Sequence, residues 1–354
     1  MIYHLSFLLK QTFSGANVIH YVTFRALASL LTTLGLSFIF GSWFIEKSKQ
    51  LFRAKAREWT PESHKAKDNM PTMGGVFILI ISIISCLLWC DLTNPLVWVC
   101  ALGIIGFGAI GFWDDWYKIK YHKGVSARTK FIAQWTIAFA TIALWLWAAQ
   151  PETTVTLPFF KSFNPDLGIF FIFWAAFILV SCSNAVNLTD GLDGLAIGSL
   201  LPNFATFTLI CYLAGHVKIA DYLHIPFAGS AEVAVIGATL VGASLGFLWY
   251  NAYPAQIFMG DVGSLALGTG LALMALIAKQ ELLLAITGGL FVLETLSVII
   301  QVFVFKRFKR RIFKMAPIHH HFELLGWPEA KITVRFAIIS LILCLLALIT
   351  LKLR

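Results

Sequence analysis

The sequence predicts an all-α, polytopic integral membrane protein of about ten transmembrane helices, with the N-terminus and the C-terminus both outside. Three observations carry that expectation. Only 13% of the 354 residues are charged against 58% hydrophobic, with a mean hydropathy of +0.80. A soluble domain is about a quarter charged, so this composition fits a chain whose solvent is itself apolar. The apolar residues gather in runs of about 20, the length that crosses a hydrocarbon core about 30 Å thick. The lysines and arginines gather in alternate connections between those runs.

Taken in order, the runs are 25–45, 74–90, 95–113, 131–149, 168–183, 195–214, 233–250, 262–278, 282–305 and 334–352. Each is read as a helix, because a segment in lipid must satisfy its own backbone hydrogen bonds. The first 24 residues hold a short apolar stretch with no basic segment before it and no small-residue cleavage site after it. No cleavable signal peptide is therefore expected. Gly106, Gly108 and Gly111 of the third run spell a dinucleotide fingerprint in "GFGAIG". That fingerprint needs a strand before it; inside an apolar run, small residues fit close helix packing instead. The ninth run carries an acid mid-span, Glu294, with Gln301 two turns further along the same face. The six cysteines lie in or beside apolar runs without a CxxC pair and read as small buried hydrophobes.

With the N-terminus outside, the inside connections are 46–73, 114–130, 184–194, 251–261 and 306–333. The first, second and last of these, with Arg335 just beyond, hold twenty of the 27 basic residues. This bias sets the orientation and accounts for the net charge of +9 as a topology signal.

The same five connections hold five polar clusters: "KDNMPTMGG" at 67–75, "DDWYK" at 114–118, "NAVNLTDGLDG" at 184–194, "WYNAYPAQIFMGDVGS" at 249–264 and "APIHHHFELLGWPE" at 316–329. The outside connections 150–167 and 215–232 hold nothing comparable. Asp114, Asp115, Asp190, Asp193 and Asp261 thus fall at inside helix ends, and one active surface explains the coincidence. Aspartates without thiols favour a hard cation, and Mg²⁺ is the usual one beside phosphates. Lysines neutralise phosphate oxygens. Glycines let backbone N–H groups approach a bulky ligand. Phe258 and Trp249 offer stacking faces. Together these residues point to phosphoryl transfer between a nucleotide-linked donor and a phosphate held at the membrane surface. A transporter would gather its charges near the bilayer midplane, whereas these gather at one surface. "DGLDG" lacks the ligand spacing of a calcium loop, contiguous His319, His320 and His321 lack that of a helical zinc site, and no nucleic-acid partner is expected.

In this order, over about residues 20–350, the five motifs resemble those of the bacterial phospho-N-acetylmuramoyl-pentapeptide transferases. These belong to the polyprenyl-phosphate N-acetylhexosamine-1-phosphate transferase superfamily. The aspartate clusters are common to the superfamily, while "PIHHHFELLGW" is specific to its peptidoglycan branch. The resemblance implies that residues 1–354 form one transmembrane catalytic domain in the bacterial cytoplasmic (inner) membrane, its active site facing the cytoplasm. The implied reaction moves phospho-N-acetylmuramoyl-pentapeptide from its UDP donor, UDP-N-acetylmuramoyl-pentapeptide, to undecaprenyl phosphate, giving lipid I and UMP, with Mg²⁺ as cofactor. Membrane lipids surround the chain, and a homodimer is left open. Catalytic roles are implied for Asp114, Asp115, Asp261 and His319. Asp261 is the implied metal ligand, with Asp114 and Asp115 as further candidates. Substrate contacts are implied for Lys67, Thr72, Lys130, Asn187, Asp190, Asp193, Asn251, Phe258, Gln301, His320 and His321. Asp114 matches a residue that either deprotonates or positions the polyprenyl phosphate. Direct attack and a covalent aspartyl intermediate both stay open, as do the roles of His319 and Glu294. The nearest alternative is a sibling that transfers N-acetylglucosamine-1-phosphate, against which the histidine motif argues.

Two physical expectations attach to the aspartate pair. A phosphomonoester has its second pKa at about 6, so the acceptor is largely ionised near pH 7. Alignment or metal contact therefore suits Asp114 better than a general-base role. Neighbours on a helix diverge by about 100°, so Asp114 and Asp115 are expected to do different jobs.

Overall fold

The computed structural model describes residues 1–9, 14–51, 70–158 and 164–352. A short α1 (Ile2–Leu9) and a 3₁₀ turn (Ser14–His20) precede α2 (Val22–Leu51), α3 (Gly74–Trp89), α4 (Pro95–Tyr121), α5 (Ala127–Ala149), α6 (Phe171–Thr189) and α7 (Leu195–Ala214). Next come the short α8 (Val217–Leu223), α9 (Ala231–Asn251), α10 (Gly260–Ile277) and the short α11 (Leu283–Thr287). The chain closes with α12 (Gly289–Phe308), the short α13 (Ile318–Leu324) and α14 (Glu329–Thr350). Among the described residues nine helices are long and apolar enough to cross a bilayer, and α3, at 16 residues, is a shorter apolar helix. The chain is thus an all-α polytopic membrane protein, and the ten apolar runs all appear as helices.

Several helices outrun their apolar segments. α4 continues to Tyr121, α6 to Thr189 and α12 to Phe308, while α5 starts at Ala127. Asp114, Asp115, Lys130 and Asn187 therefore stand on helices, where the sequence places them in connections. Hydropathy marks the lipid-immersed stretch, whereas backbone hydrogen bonding carries the helix on into water until a cap ends it. Ser126 caps α5 by accepting from the Thr129 N–H at 3.2 Å, and Asn94 caps α4 by accepting from Leu96 at 2.9 Å, with Pro95 at the first helical position. The ninth run, expected as one span, breaks into α11 and α12 at Gly288. Two consecutive glycines, Gly288 and Gly289, are weak helix formers.

α10 is the central helix: 89% of its apolar window is buried, against 22% for α12 at the rim. It packs against α4, α6 and α3, while α9 packs against α2 and α7. Glycines permit this closeness. A Cβ on Gly75 would sit 2.0 Å from the Gly263 nitrogen, and one on Gly111 would sit 2.2 Å from the Asp261 carbonyl oxygen. Gly111 belongs to "GFGAIG", whose small residues thus serve helix packing. Large apolar side chains such as Leu31, Ile39, Phe303 and Ile342 remain exposed on the outer helices, where lipid covers them.

Successive long helices run in opposite directions, so their connections divide between two ends. One end holds 122–126, 190–194, 252–259 and 309–328, with Thr72 and Met73 beside Gly260. The other holds both termini: the Met1 amine donates to the Leu88 carbonyl at 3.1 Å, and Lys352 to the Tyr222 carbonyl at 2.6 Å. A small apolar cluster of Leu192, Leu195, Leu290, Ile332 and Phe336, with Ile318, Phe322 and Trp327 against it, seats α13 beneath the 190–194 connection.

Candidate active site

Asp114 and Asp115 lie on the last turns of α4, 4% and 5% exposed, and meet Asp261 in the first turn of α10. One oxygen from each carboxylate lies within 4.8 Å of the others. Two ammonium groups lie among them. Lys118 reaches Asp114 at 2.8 Å, Asp115 at 3.1 Å and Asp261 at 3.1 Å. Lys130 reaches Asp114 at 3.3 Å and also pairs with Asp261. The arrangement is local in origin: Lys118 stands four and three residues beyond the two aspartates, the spacing at which helical side chains meet, and the Ser126 cap starts α5 so that Lys130 falls in its first turn.

The remaining oxygens set the two aspartates apart. Asp114 Oδ1 accepts from the Val125 N–H at 2.7 Å, in the connection between α4 and α5. Asp115 Oδ2 accepts from the Val262 N–H at 3.3 Å, at the N-terminus of α10, where helical N–H groups lack partners and the helix dipole favours an anion. Asp261 Oδ1 accepts from Asn187 Nδ2 at 2.9 Å, and the same amide donates to Ser264 Oγ at 2.8 Å. Gly260, with φ +75°, leaves room for this junction, since a Cβ there would meet Asp115 Oδ2 at 2.5 Å and Thr72 Oγ1 at 3.3 Å.

The other candidates divide between the triad and its frame. Asp190 is close enough to feel the carboxylates: burial, with Asp261, Asp115 and Asp193 adding to it, pushes its pKa up to about 8. The shift favours the protonated carboxyl. Asp193 and Asn251 spend their polar atoms on backbone. Asp193 Oδ2 accepts from the Ala255 N–H at 3.0 Å; Asn251 accepts from Gly194 at 3.1 Å and donates to the Ile257 carbonyl at 2.8 Å. They tie 190–194 to 252–258. Phe258 is half-buried, its N–H bonded to the Pro71 carbonyl and its own carbonyl to the Gly74 N–H, each at 2.9 Å. Thr72 lies in that same strap. Lys67 falls outside the described residues.

The histidine motif forms α13. His319 is fully buried with Nδ1 3.1 Å from Glu294 Oε2, and its Nε2 crowds Gly191, where a Cβ would sit 2.2 Å away. Burial holds its pKa below the usual histidine range, with Glu294 opposing the shift. His320 Nδ1 pairs with Glu323 at 2.9 Å, and His321 Nδ1 accepts from the Lys314 N–H at 3.1 Å. Gln301 binds the backbone of Ile312 and Phe313 rather than the triad.

Sequence reasoning missed four members of this network: Lys118, Ser264, Glu329, whose Oε1 accepts from the Asp193 N–H at 2.7 Å, and Glu294 as the partner of His319. Lys118 had a local signal, its i+4 and i+3 spacing from the aspartates, and Ser264 had one in standing three residues after Asp261 at the end of "MGDVGS". Glu329 and Glu294 meet their partners across 136 and 25 positions of sequence.

Three convergent carboxylates without a thiolate form an all-oxygen, hard donor set, and the two ammonium groups among them mark how strongly this point attracts positive charge. Such a set suits a divalent cation of the Mg²⁺ kind.

The chain matches the model of glycosyl transferase family 4 over residues 97–279. It is 50% identical to the phospho-N-acetylmuramoyl-pentapeptide-transferase of Citrifermentans bemidjiense and 49% identical to that of Syntrophus aciditrophicus, each match covering 100% of both chains. The enzyme of the same name from Desulfosudis oleivorans is likewise 50% identical over 100% of both chains.

Proposed function

This chain belongs to the phospho-N-acetylmuramoyl-pentapeptide transferases of glycosyl transferase family 4, and from that premise we propose that it transfers phospho-N-acetylmuramoyl-pentapeptide from its UDP donor to undecaprenyl phosphate, releasing UMP and leaving lipid I. The observation that carries this reading is the Asp114–Asp115–Asp261 triad with Lys118 and Lys130 among its carboxylates, at the end of the bundle where the polar connections meet. The basic bias of those connections supports placing them on the cytoplasmic side of the bacterial inner membrane, with both termini outside.

The carboxylates of Asp261, Asp114 and Asp115 would hold a divalent cation, Mg²⁺ in this reading, which would supply positive charge against the donor's diphosphate and the leaving UMP. Lys118 and Lys130 then turn from the aspartates to phosphate oxygens, so that two anionic reactants approach without mutual repulsion. Asp114 aligns the acceptor phosphate, which is largely ionised near pH 7 because its second pKa is about 6. Asp115 ties the catalytic turn of α4 to the start of α10 and thereby fixes Asp261. Asp190, whose buried carboxyl and acidic neighbours favour the protonated form, stands beside the triad. Asn187 orients Asp261, while Asp193 and Asn251 frame the donor pocket, against which Phe258 presents its ring.

UMP release by purified enzyme tests the proposal. UDP-N-acetylmuramoyl-pentapeptide should support turnover with undecaprenyl phosphate and Mg²⁺; UDP-N-acetylglucosamine should not, and excess chelator should abolish activity. Turnover undiminished in chelator would remove the metal, and preference for UDP-N-acetylglucosamine would move the chain to the sibling activity.

A further inference from the structure

α12 is the most lipid-exposed of the long helices, yet it carries a polar stripe. Glu294, Ser297 and Gln301 are spaced by three and four residues and so share a face. Gln301 accepts from the Ile312 and Phe313 N–H groups at 3.1 Å and donates to the Phe313 carbonyl at 2.9 Å, fastening the start of the histidine connection. Glu294 is 0% exposed, and no lysine or arginine pairs with it among the described residues. Its carboxylate lies 3.1 Å from His319 Nδ1, within hydrogen-bond reach, and neither group has another hydrogen-bond partner among the described residues. His319 is equally buried, and its Nε2 has no hydrogen-bond partner among the described residues. That atom is pressed against Gly191, in the connection whose Asp190 feels the carboxylates of Asp261 and Asp115.

We propose that Glu294 is the positioning residue for His319: its carboxylate accepts from Nδ1–H, locks the ring against Gly191, and leaves Nε2 as a bare acceptor turned to the catalytic connection 190–194. The inference rests on the reading of His319 as part of the active site. A carboxylate is an expensive choice inside a membrane helix. A tie that only held the ring in place would be met by a backbone carbonyl or an amide. What the carboxylate adds is a fixed tautomer, with Nδ1–H kept on the ring, and greater basicity at Nε2, which makes that atom a stronger hydrogen-bond acceptor towards the 190–194 connection. The charged and titratable groups around the imidazole are Glu294 from α12, His320 and Glu323 from α13, and Asp190 beside the glycine it touches.

The test compares Glu294→Leu, His319→Ala and the double variant, with folding checked by thermal melt. Glu294→Leu should lower kcat by about 10–100-fold, the usual effect of losing such an outer partner, with KM for the UDP donor within about two-fold of wild type. The acidic limb of its kcat–pH profile should move to lower pH, because the anion that favours the imidazolium is gone. The double variant should be no slower than His319→Ala alone. If the leucine variant fails to fold, Glu294→Gln, which keeps the shape and loses the charge, carries the same pH test. Wild-type turnover and an unmoved pH limb in a folded Glu294 variant, with His319→Ala impaired, overturn the inference and leave the site reading standing; losses that multiply in the double variant do the same. Wild-type turnover of His319→Ala removes the histidine from the site and the inference with it.

Discussion

Asp114 and Asp115 are neighbours in the chain and occupy different places in the site. Asp114 is held by the Val125 N–H and Asp115 by the Val262 N–H, with Lys118 reaching both. If Asp114 were a general base, high pH would partly replace it. If it aligns the acceptor, nothing in solution substitutes for its geometry. Asp114→Asn should therefore be slowed by about 100-fold or more from pH 7 to 9, within the range general acid–base groups contribute, with no recovery at the alkaline end. Recovery at pH 9 would restore the base. Asp115→Asn should also lower the melting temperature, since it weakens an anion at the N-terminus of α10, a contact worth about 0.5–2 kcal/mol, and its turnover should need more Mg²⁺. Equal melts and equal Mg²⁺ dependence for the two variants would contradict the division. Asp190 gives a pH test. Its folded pKa, about 8, lies above its unfolded value, so the folded state keeps a proton that the unfolded chain releases, and stability falls as pH rises from about 4 towards 8. Asp190→Asn abolishes that loss. Relative to wild type in metal-free detergent, its melting temperature should climb between pH 5 and pH 8; a constant difference across that window would show that Asp190 is not held protonated.

At the scale of elements, the site depends on how closely α4, α3 and α10 approach. Gly111 and Gly75 are the contact points, each facing backbone that cannot swing aside as a side chain can. Gly111→Ala would push the last turns of α4 away from Asp261 and open the triad. Overpacking costs about 1–3 kcal/mol where side chains can adjust, and a backbone obstacle sets the upper end. Gly111→Ala should lower both the melting temperature and turnover, whereas Gly35→Ala, with nothing within 4 Å of the added methyl, should leave both near wild type. An active, stable Gly111→Ala would mean that the helices tolerate a wider spacing than the carboxylate geometry implies. α12 shows the complementary case of a helix mostly given to lipid, whose one polar face organises the histidine connection.

Across the whole molecule, the two ends have separate chemistry. Arg25 and Glu232 form a buried, two-pronged ion pair at 2.6 and 2.9 Å, and Glu232 also accepts from the Asp91 N–H at 2.6 Å. Asp91 just precedes α4, whose other end carries the triad; twenty residues of helix separate them by about 30 Å. Breaking a buried pair from one side leaves an uncompensated charge and costs about 3–5 kcal/mol. Arg25→Met should therefore destabilise strongly, and Arg25→Met combined with Glu232→Leu less so. Turnover per folded molecule should stay at the wild-type level in both. A selective loss of kcat in folded protein would couple the two ends.

The sequence by itself determined the class of protein, its ten apolar helices, the gathering of polar motifs at alternate connections, and the aspartates of the triad. Those properties depend on composition and on spacing within one segment: hydropathy reports the solvent each stretch prefers, and motif order reports kinship. The tertiary structure decided where those segments meet. Lys130 reaches Asp114 from the next helix, Asn187 turns to Asp261 rather than to open solvent, Asp193 and Asn251 serve the backbone of one another's connections, and Glu294 finds His319. None of these contacts has a periodicity to betray it. They arise because opposed helices carry residues distant in sequence to the same depth, and because glycines at Gly75, Gly111 and Gly191 let backbone and ring approach to distances that no pattern of hydrophobicity records.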